Sequence, residues 1–128
     1  MTVNHQRAQA FLSRAGQARR GIDALLERRQ RCRELAARRG ARSEALEGLE
    51  RDIDRRIREY AALTREIEAV IDAAASPPER EVLRYRYLNG WDWRTIAGAL
   101  GRGRSWVFQV HEEALNGVNK RLNSGAAD

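Results

Sequence analysis

Arg94, Arg102 and Arg104 fall within eleven residues, beside Thr95, Ser105 and Gln109. Guanidinium groups gathered in this way suit oxyanions, since each carries a fixed fork of N–H donors and a permanent charge. Residue types that do covalent or metal chemistry are not gathered. His5 and His111 are remote from one another, and His111 has only Glu112 and Glu113 near it in sequence, so no metal-ligand spacing is present. No Ser/His/Asp set, phosphate loop or suitably placed carboxylate pair stands out, so neither an enzyme nor a cofactor is expected. A single cysteine, Cys32, excludes an internal disulfide, offers no thiolate pair for zinc and fits a reducing cytosol.

The charge of the whole chain points the same way as the cluster. Its 128 residues hold 24 Lys and Arg against 18 Asp and Glu, a net +6. A sequence pI near 10.6 suits a polyanion, either nucleic acid or an anionic membrane surface, and composition does not separate the two. Residues 1–43 carry 11 Arg against Asp23, Glu27 and Glu34 (+8), whereas residues 44–78 carry five Arg against nine acids (−4). Opposite signs are expected of stretches that lie side by side. The arginines from Arg19/Arg20 through Arg28/Arg29 and Arg31/Arg33 to Arg38/Arg39 therefore read as a solvated face paired with the acidic second stretch. A second nucleic-acid surface is the competing reading. Met1 to Arg14 lacks the apolar core of a signal peptide, and no run of about 18 apolar residues occurs, so a cytoplasmic chain without a membrane span is expected.

The elements that must position the cluster are helices. Apolar residues at Phe11/Leu12, Ala15, Ala18, Ile22, Leu25/Leu26, Cys32 and Leu35/Ala36 alternate three and four apart, with a gap at Arg29. A cleaner series, Leu46, Leu49, Ile53, Ile57, Tyr60, Leu63/Thr64, Ile67 and Val70/Ile71, keeps coiled-coil spacing. Between them Gly40 supplies a stop and Ser43 an N-cap. A short connection favours antiparallel neighbours, so residues 1–75 are expected to form a long helical hairpin, with an intermolecular coiled coil as the alternative. Two narrow stripes bury limited area, which favours a homodimer through these N-terminal helices.

Ser76-Pro77-Pro78 breaks the pattern, because proline is costly inside a helix and well placed in a first turn. Residues 76–78 are read as a linker, and residues 79–122 as a separate module that holds all three tryptophans. Glu79 to Leu88 forms one short helix that Asn89-Gly90 ends. Asp92 caps a second, Trp93 to Leu100, with Trp93, Ile96, Ala97 and Leu100 inward. Gly101 makes the turn into a third helix, from about Arg104 to Leu122, with Val107, Val110, Ala114 and Leu115 inward. Helix, short glycine turn, helix is the sequence shape of a helix-turn-helix. Residues 123–128 are read as a disordered tail.

The run Glu79 to Leu88, followed by Gly90, Trp91, Asp92, Trp93, Ile96, Ala97, Leu100, Gly101, Val107, Ala114 and Leu115, resembles sigma-factor region 4. That family's pattern is E-x-x-V-L-x-x-R-Y, then G-x-S-x-x-x-I-A-x-x-L-G, then a recognition helix ending in A-L. His111 and Phe108 pull the likeness toward phage-encoded late-transcription regulators of the ArpU/RinA kind, in which a sigma-like helix-turn-helix follows an N-terminal helical segment. The resemblance covers residues 77–122, about a third of the chain, and leaves the hairpin aside.

Carried over residue by residue, the family's base-reading positions fall on Arg104, Ser105, Phe108 and Gln109. Arg suits guanine O6/N7, Gln suits adenine N6/N7, and Ser suits bases or phosphate. Phe108 stands where the family usually has a basic residue, and either touches a thymine methyl or packs. Gly103 replaces the family's Ser or Thr cap, leaving the first residue of the helix open by one or two positions. Trp106 is open between core, DNA and partner contact. Arg94, Thr95 and Arg102 are placed for phosphate. Arg80, Arg84 and Arg86 read as ion-paired or solvated, with phosphate contact as the lesser alternative, Trp91, Trp93, Tyr85 and Tyr87 as core ahead of base stacking, and His111 as structural.

The expectation is therefore an all-α chain, a hairpin followed by a helix-turn-helix over residues 79–122. It would act as a sequence-specific regulator of phage or prophage type that reads double-stranded DNA in the major groove, with RNA polymerase as a further partner. Two other readings remain: a small-terminase-like packaging component, and a sigma-like module that binds protein and no DNA.

Overall fold

The computed structural model describes residues 5–40 and 43–127. Residues 1–4, 41–42 and 128 lie outside it, and with them the start of the hairpin region, the middle of its turn and the last residue of the expected tail. Five α-helices follow in order: α1 (Gln6–Arg39), α2 (Glu44–Ala74), α3 (Pro77–Leu83), α4 (Trp93–Leu100) and α5 (Arg104–Ala127), with a π-helical turn at Arg84–Leu88 continuing α3. The chain is all-α, and no strand occurs among the described residues.

The hairpin ends where its capping chemistry requires. Gly40 takes the left-handed conformation (φ 65°) and donates its amide to Ala37 O, a geometry that only glycine adopts without strain. Ser43 is extended, and its hydroxyl accepts from the Leu46 amide at 3.3 Å. Glu44 and Glu47 in the first turn of α2, and Arg38 and Arg39 in the last turn of α1, each complement a helix dipole. The apolar stripes of α1 and α2 thus pair within one chain as an antiparallel hairpin.

Below this tip the hairpin is not a free two-helix rod. Ala8, Leu12 and Ala15 of α1 and Ile67 and Ile71 of α2 share a single core with Leu83 of α3 and with Ala114, Leu115 and Val118 of α5. The C-terminal region is therefore not the separate module expected from its composition, because α5 forms the third layer on the hairpin's base. Towards the tip that layer is missing. Ile22 and Ile53 are buried there, while Leu35 and Ile57, both counted on the apolar stripes, remain 51% and 45% exposed.

A second cluster joins Val82, Ile96, Ala97, Val107 and Val110, with Tyr85, Trp91, Trp93, Leu100 and Trp106 around it. Two boundaries differ from expectation. Pro77 and Pro78 belong to the first turn of α3, so the link between hairpin and module shrinks to Ala75 and Ser76. α5 does not stop at Leu122, and Asn123 to Ala127 continue as helix where a disordered tail was expected. The extension is tied back to the hairpin, since Arg7 donates to Asn123 Oδ1 at 2.8 Å.

The junction depends on one close approach. A Cβ placed on Gly117 would lie 2.5 Å from the carbonyl oxygen of Ala74, at the C-terminus of α2. Alanine in a helix interior normally stabilises relative to glycine by up to about 1 kcal/mol. Here that gain is overridden, and Gly117→Ala should destabilise by about 1–3 kcal/mol, the usual cost of forcing extra atoms into a packed contact. Gly98 in α4 has nothing within 4 Å of the same construction, so Gly98→Ala should stabilise instead. Urea unfolding of the two variants reads both signs, and equal effects would refute the steric account.

Candidate nucleic-acid interface

Asp92 starts α4 by accepting from the Thr95 amide at 2.7 Å. That amide bond, reinforced by the Thr95 hydroxyl, holds the exposed Asp92 carboxyl below its usual range, with Arg94 and Arg86 adding smaller effects in the same direction. Gly101 ends α4 in the left-handed conformation (φ 64°). Residues 101–103 then turn the chain, and Gly103 O accepts from the Val107 amide at 3.2 Å. This settles the start of α5 at Arg104, with Gly103 as a cap lacking a side chain. Glycine therefore offers the first-turn amides of α5 no capping side chain of its own.

Arg104, Ser105, Phe108 and Gln109 follow the spacing of one helix face, and all four are exposed. Arg94, Thr95 and Arg102 are exposed too. Arg94 and Arg104 have no hydrogen bond or ion pair among the described residues, so their guanidinium groups are uncommitted. Arg102 lies over the Trp106 ring, 4.9 Å from its centroid, a cation–π contact that restrains the cation beside the start of α5. Trp106 itself is half-buried against the second cluster, which answers for it in favour of the core.

Phe108 both packs and shows a face. It meets Trp93 edge-on at 5.1 Å, yet 46% of it is exposed. Behind it, Tyr85 stacks on Trp91 at 4.6 Å, and Trp93 also meets His111 edge-on at 4.7 Å. The arginines of the preceding helix are engaged within the fold. Arg84 pairs with Asp72, Arg80 donates to Ala75 O at 2.8 Å, and Arg86 donates to Trp91 O at 3.1 Å while lying 4.5 Å from the Trp93 ring centroid.

One residue that matters to this site carried no signal in the sequence. Arg19 of α1 donates to Tyr60 Oη at 2.8 Å and to the carbonyls of Leu88 and Asn89, tying both hairpin helices to the loop that leads into α4. Its partners are 41, 69 and 70 residues away, beyond any local motif. Among the described residues no group of His, Cys, Asp and Glu could hold a metal ion, and no helix is long and apolar enough to cross a membrane. Comparisons with protein-family models, with curated proteins and with solved structures return no match.

His111 supports the site from behind. It shares a 2.8 Å hydrogen bond with Tyr87 Oη. Burial, then the Arg86 guanidinium and His5, push its pKa down to about 4 from 6.5, so the ring is neutral at pH 7. The unfolded chain binds this proton more readily, so stability should fall as pH drops from about 6.5 toward 4, by at most about 3 kcal/mol. His111→Gln, which keeps a polar partner for Tyr87, should flatten that window in urea midpoints measured against pH. An unchanged profile would remove His111 from the account.

Proposed function

We propose that the chain is a sequence-specific double-stranded DNA-binding transcription regulator, in which the N-terminal turns of α5 enter the major groove. The observation that carries this reading is the exposed, internally uncommitted pair Arg94 and Arg104. Arg104 leads Ser105 and Gln109 at the start of a helix whose inner face lies in two buried cores, and Arg94 lies on the preceding helix. Arg104 and Gln109 have the donor and acceptor geometry to read guanine and adenine edges, Ser105 is a third, weaker reader, and Arg94 and Arg102 suit phosphate. The likeness of residues 77–122 to sigma-factor region 4 supports the same role. Phe108 and Gly103 depart from that family, so the DNA site need not be a promoter element. Pairing of two copies through the hairpin rests on the exposed Leu35 and Ile57, and would set the spacing of two half-sites.

Selection from a random duplex library tests binding and returns the site, and a palindromic consensus would report a two-fold dimer. On that site Arg104→Ala should cost about 1–3 kcal/mol of discrimination at one base position. Arg94→Ala should weaken binding to all sequences alike and lower the salt slope by about 0.9. A wild-type consensus recovered with the Arg104→Ala/Gln109→Ala variant would show that this helix does not read the bases.

A further inference from the structure

Arg19 and Arg20 of α1 and Arg86 of the π-turn line one open cleft of about 270 Å³, where the hairpin meets the helix-turn-helix. Its remaining surface comes from Ser13, Gly16 and Gly90, together with Tyr87, and contains no carboxylate. None of the three arginines forms an ion pair with an acid among the described residues, whereas Arg14, Arg33 and Arg84 do. We infer that this cleft is a binding site for a phosphate group.

Two of the cations are held in place by groups that leave their charge intact. Arg19 is fixed by the carbonyls of Leu88 and Asn89 and by Tyr60 Oη, and Arg86 by Trp91 O and the Trp93 ring. Carbonyls satisfy N–H donors but bring no compensating negative charge, so a preorganised positive field remains. That field is felt next door, where Arg86 helps to keep His111 neutral. A purely structural role explains Arg19, which caps the end of the π-turn. It does not explain Arg20, which is exposed and has no hydrogen bond or ion pair among the described residues.

The guanidinium tips lie over glycine backbone, where a Cβ on Gly16 or Gly90 would make only ordinary van der Waals contact, at 3.5 Å from Arg20 Nη1 and 3.7 Å from Arg19 Nη1. Ser13 adds a hydroxyl on the same wall. A volume of 270 Å³ falls just below the range of about 300–1,000 Å³ typical of drug-sized ligands, and admits one or two phosphate groups with water. The phosphate can come from a free anion or from a duplex backbone, and the chemistry of the cleft is the same for both.

The test uses the full chain and two charge changes that spare the Arg19 clamp, Arg20→Glu and Ser13→Asp, with helicity checked by circular dichroism. In the first arm, sodium pyrophosphate is titrated at constant ionic strength while the thermal midpoint is followed. A saturable rise for wild type, with apparent affinity at least tenfold weaker in both variants, supports a free anion. A linear rise shared by all three proteins is the general effect of an excluded salt and counts as no binding. In the second arm, duplex affinity is measured against salt, and a slope smaller by about one in Arg20→Glu assigns the cleft to a backbone phosphate. If both arms leave the variants indistinguishable from wild type, the site is overturned. A chain that binds pyrophosphate in the cleft yet no duplex at low salt would refute DNA binding and leave the cleft standing.

Discussion

Everything in this molecule turns on α5 having to serve two cores with one face. Val107 and Val110 close the aromatic cluster with Val82, Ile96 and Ala97, and one turn later Ala114, Leu115 and Val118 close the hairpin base. α3 is divided in the same way, since adjacent Val82 and Leu83 point into different clusters. A helix shared between two cores transmits position, because packed interiors yield little to strain. The sharing demands that α5 approach the end of α2 at backbone distance, which Gly117 permits. The candidate recognition residues therefore sit on a helix whose other half is clamped between α1 and α2.

That clamp changes the meaning of the hairpin. Two narrow apolar stripes on their own bury little, which made a second copy the natural way to complete them. Here α5 completes the base, and intrachain stability no longer requires a dimer. Electrostatics adds less than the opposite charges of the two segments implied. Arg14 to Glu66 at 3.9 Å and Arg33 to Glu50 at 3.0 Å cross the hairpin, but Asp52 and Glu59 are engaged by Arg55 and Arg56 of α2 itself. Such exposed pairs contribute about 0–1 kcal/mol each. Apolar burial at the base holds the hairpin to the rest, and the charges chiefly decide which arginines remain uncommitted.

What was legible in the sequence is what local chemistry dictates. Gly40, Ser43, Asp92 and Gly101 mark helix ends by backbone conformation and capping, and each does so in the structure. The exposed face at Arg104, Ser105, Phe108 and Gln109 follows from helical spacing once the start of α5 is set. Features that depend on distant partners were not legible. The end of α5 contains Asn119, Asn123 and Gly125, poor helix formers, yet the helix persists where α1 reaches it through Arg7. His5 does the same one turn and more earlier, at 2.5 Å from Asn116 Oδ1. The π-turn is a second case. Asn89 N donates to Arg84 O and Trp91 N to Tyr85 O, both at 2.9 Å, and within this stretch Tyr85 packs on one cluster and Tyr87 on the other. Alternating Tyr and Arg in that stretch gives no local signal for it.

The placement of acids along α5 limits how a duplex could meet it. Glu112 and Glu113 are exposed directly beyond Gln109, and Glu112 lies 3.9 Å from His5 Nδ1 at the start of α1. Carboxylates there would face phosphates if the helix lay lengthwise in a groove, an arrangement that repels. The first two turns carry Arg104 and no acid, follow a glycine and have Arg102 beside them. The positive end of the helix dipole falls at the same place. An end-on approach, with Arg104 and Ser105 leading and Phe108 and Gln109 one turn behind, keeps Glu112 and Glu113 away from the phosphates, while the exposed carboxylate of Asp92 stays beside Arg94 at the start of α4. It also leaves the arginine-lined cleft beyond α4 free to hold a phosphate of its own.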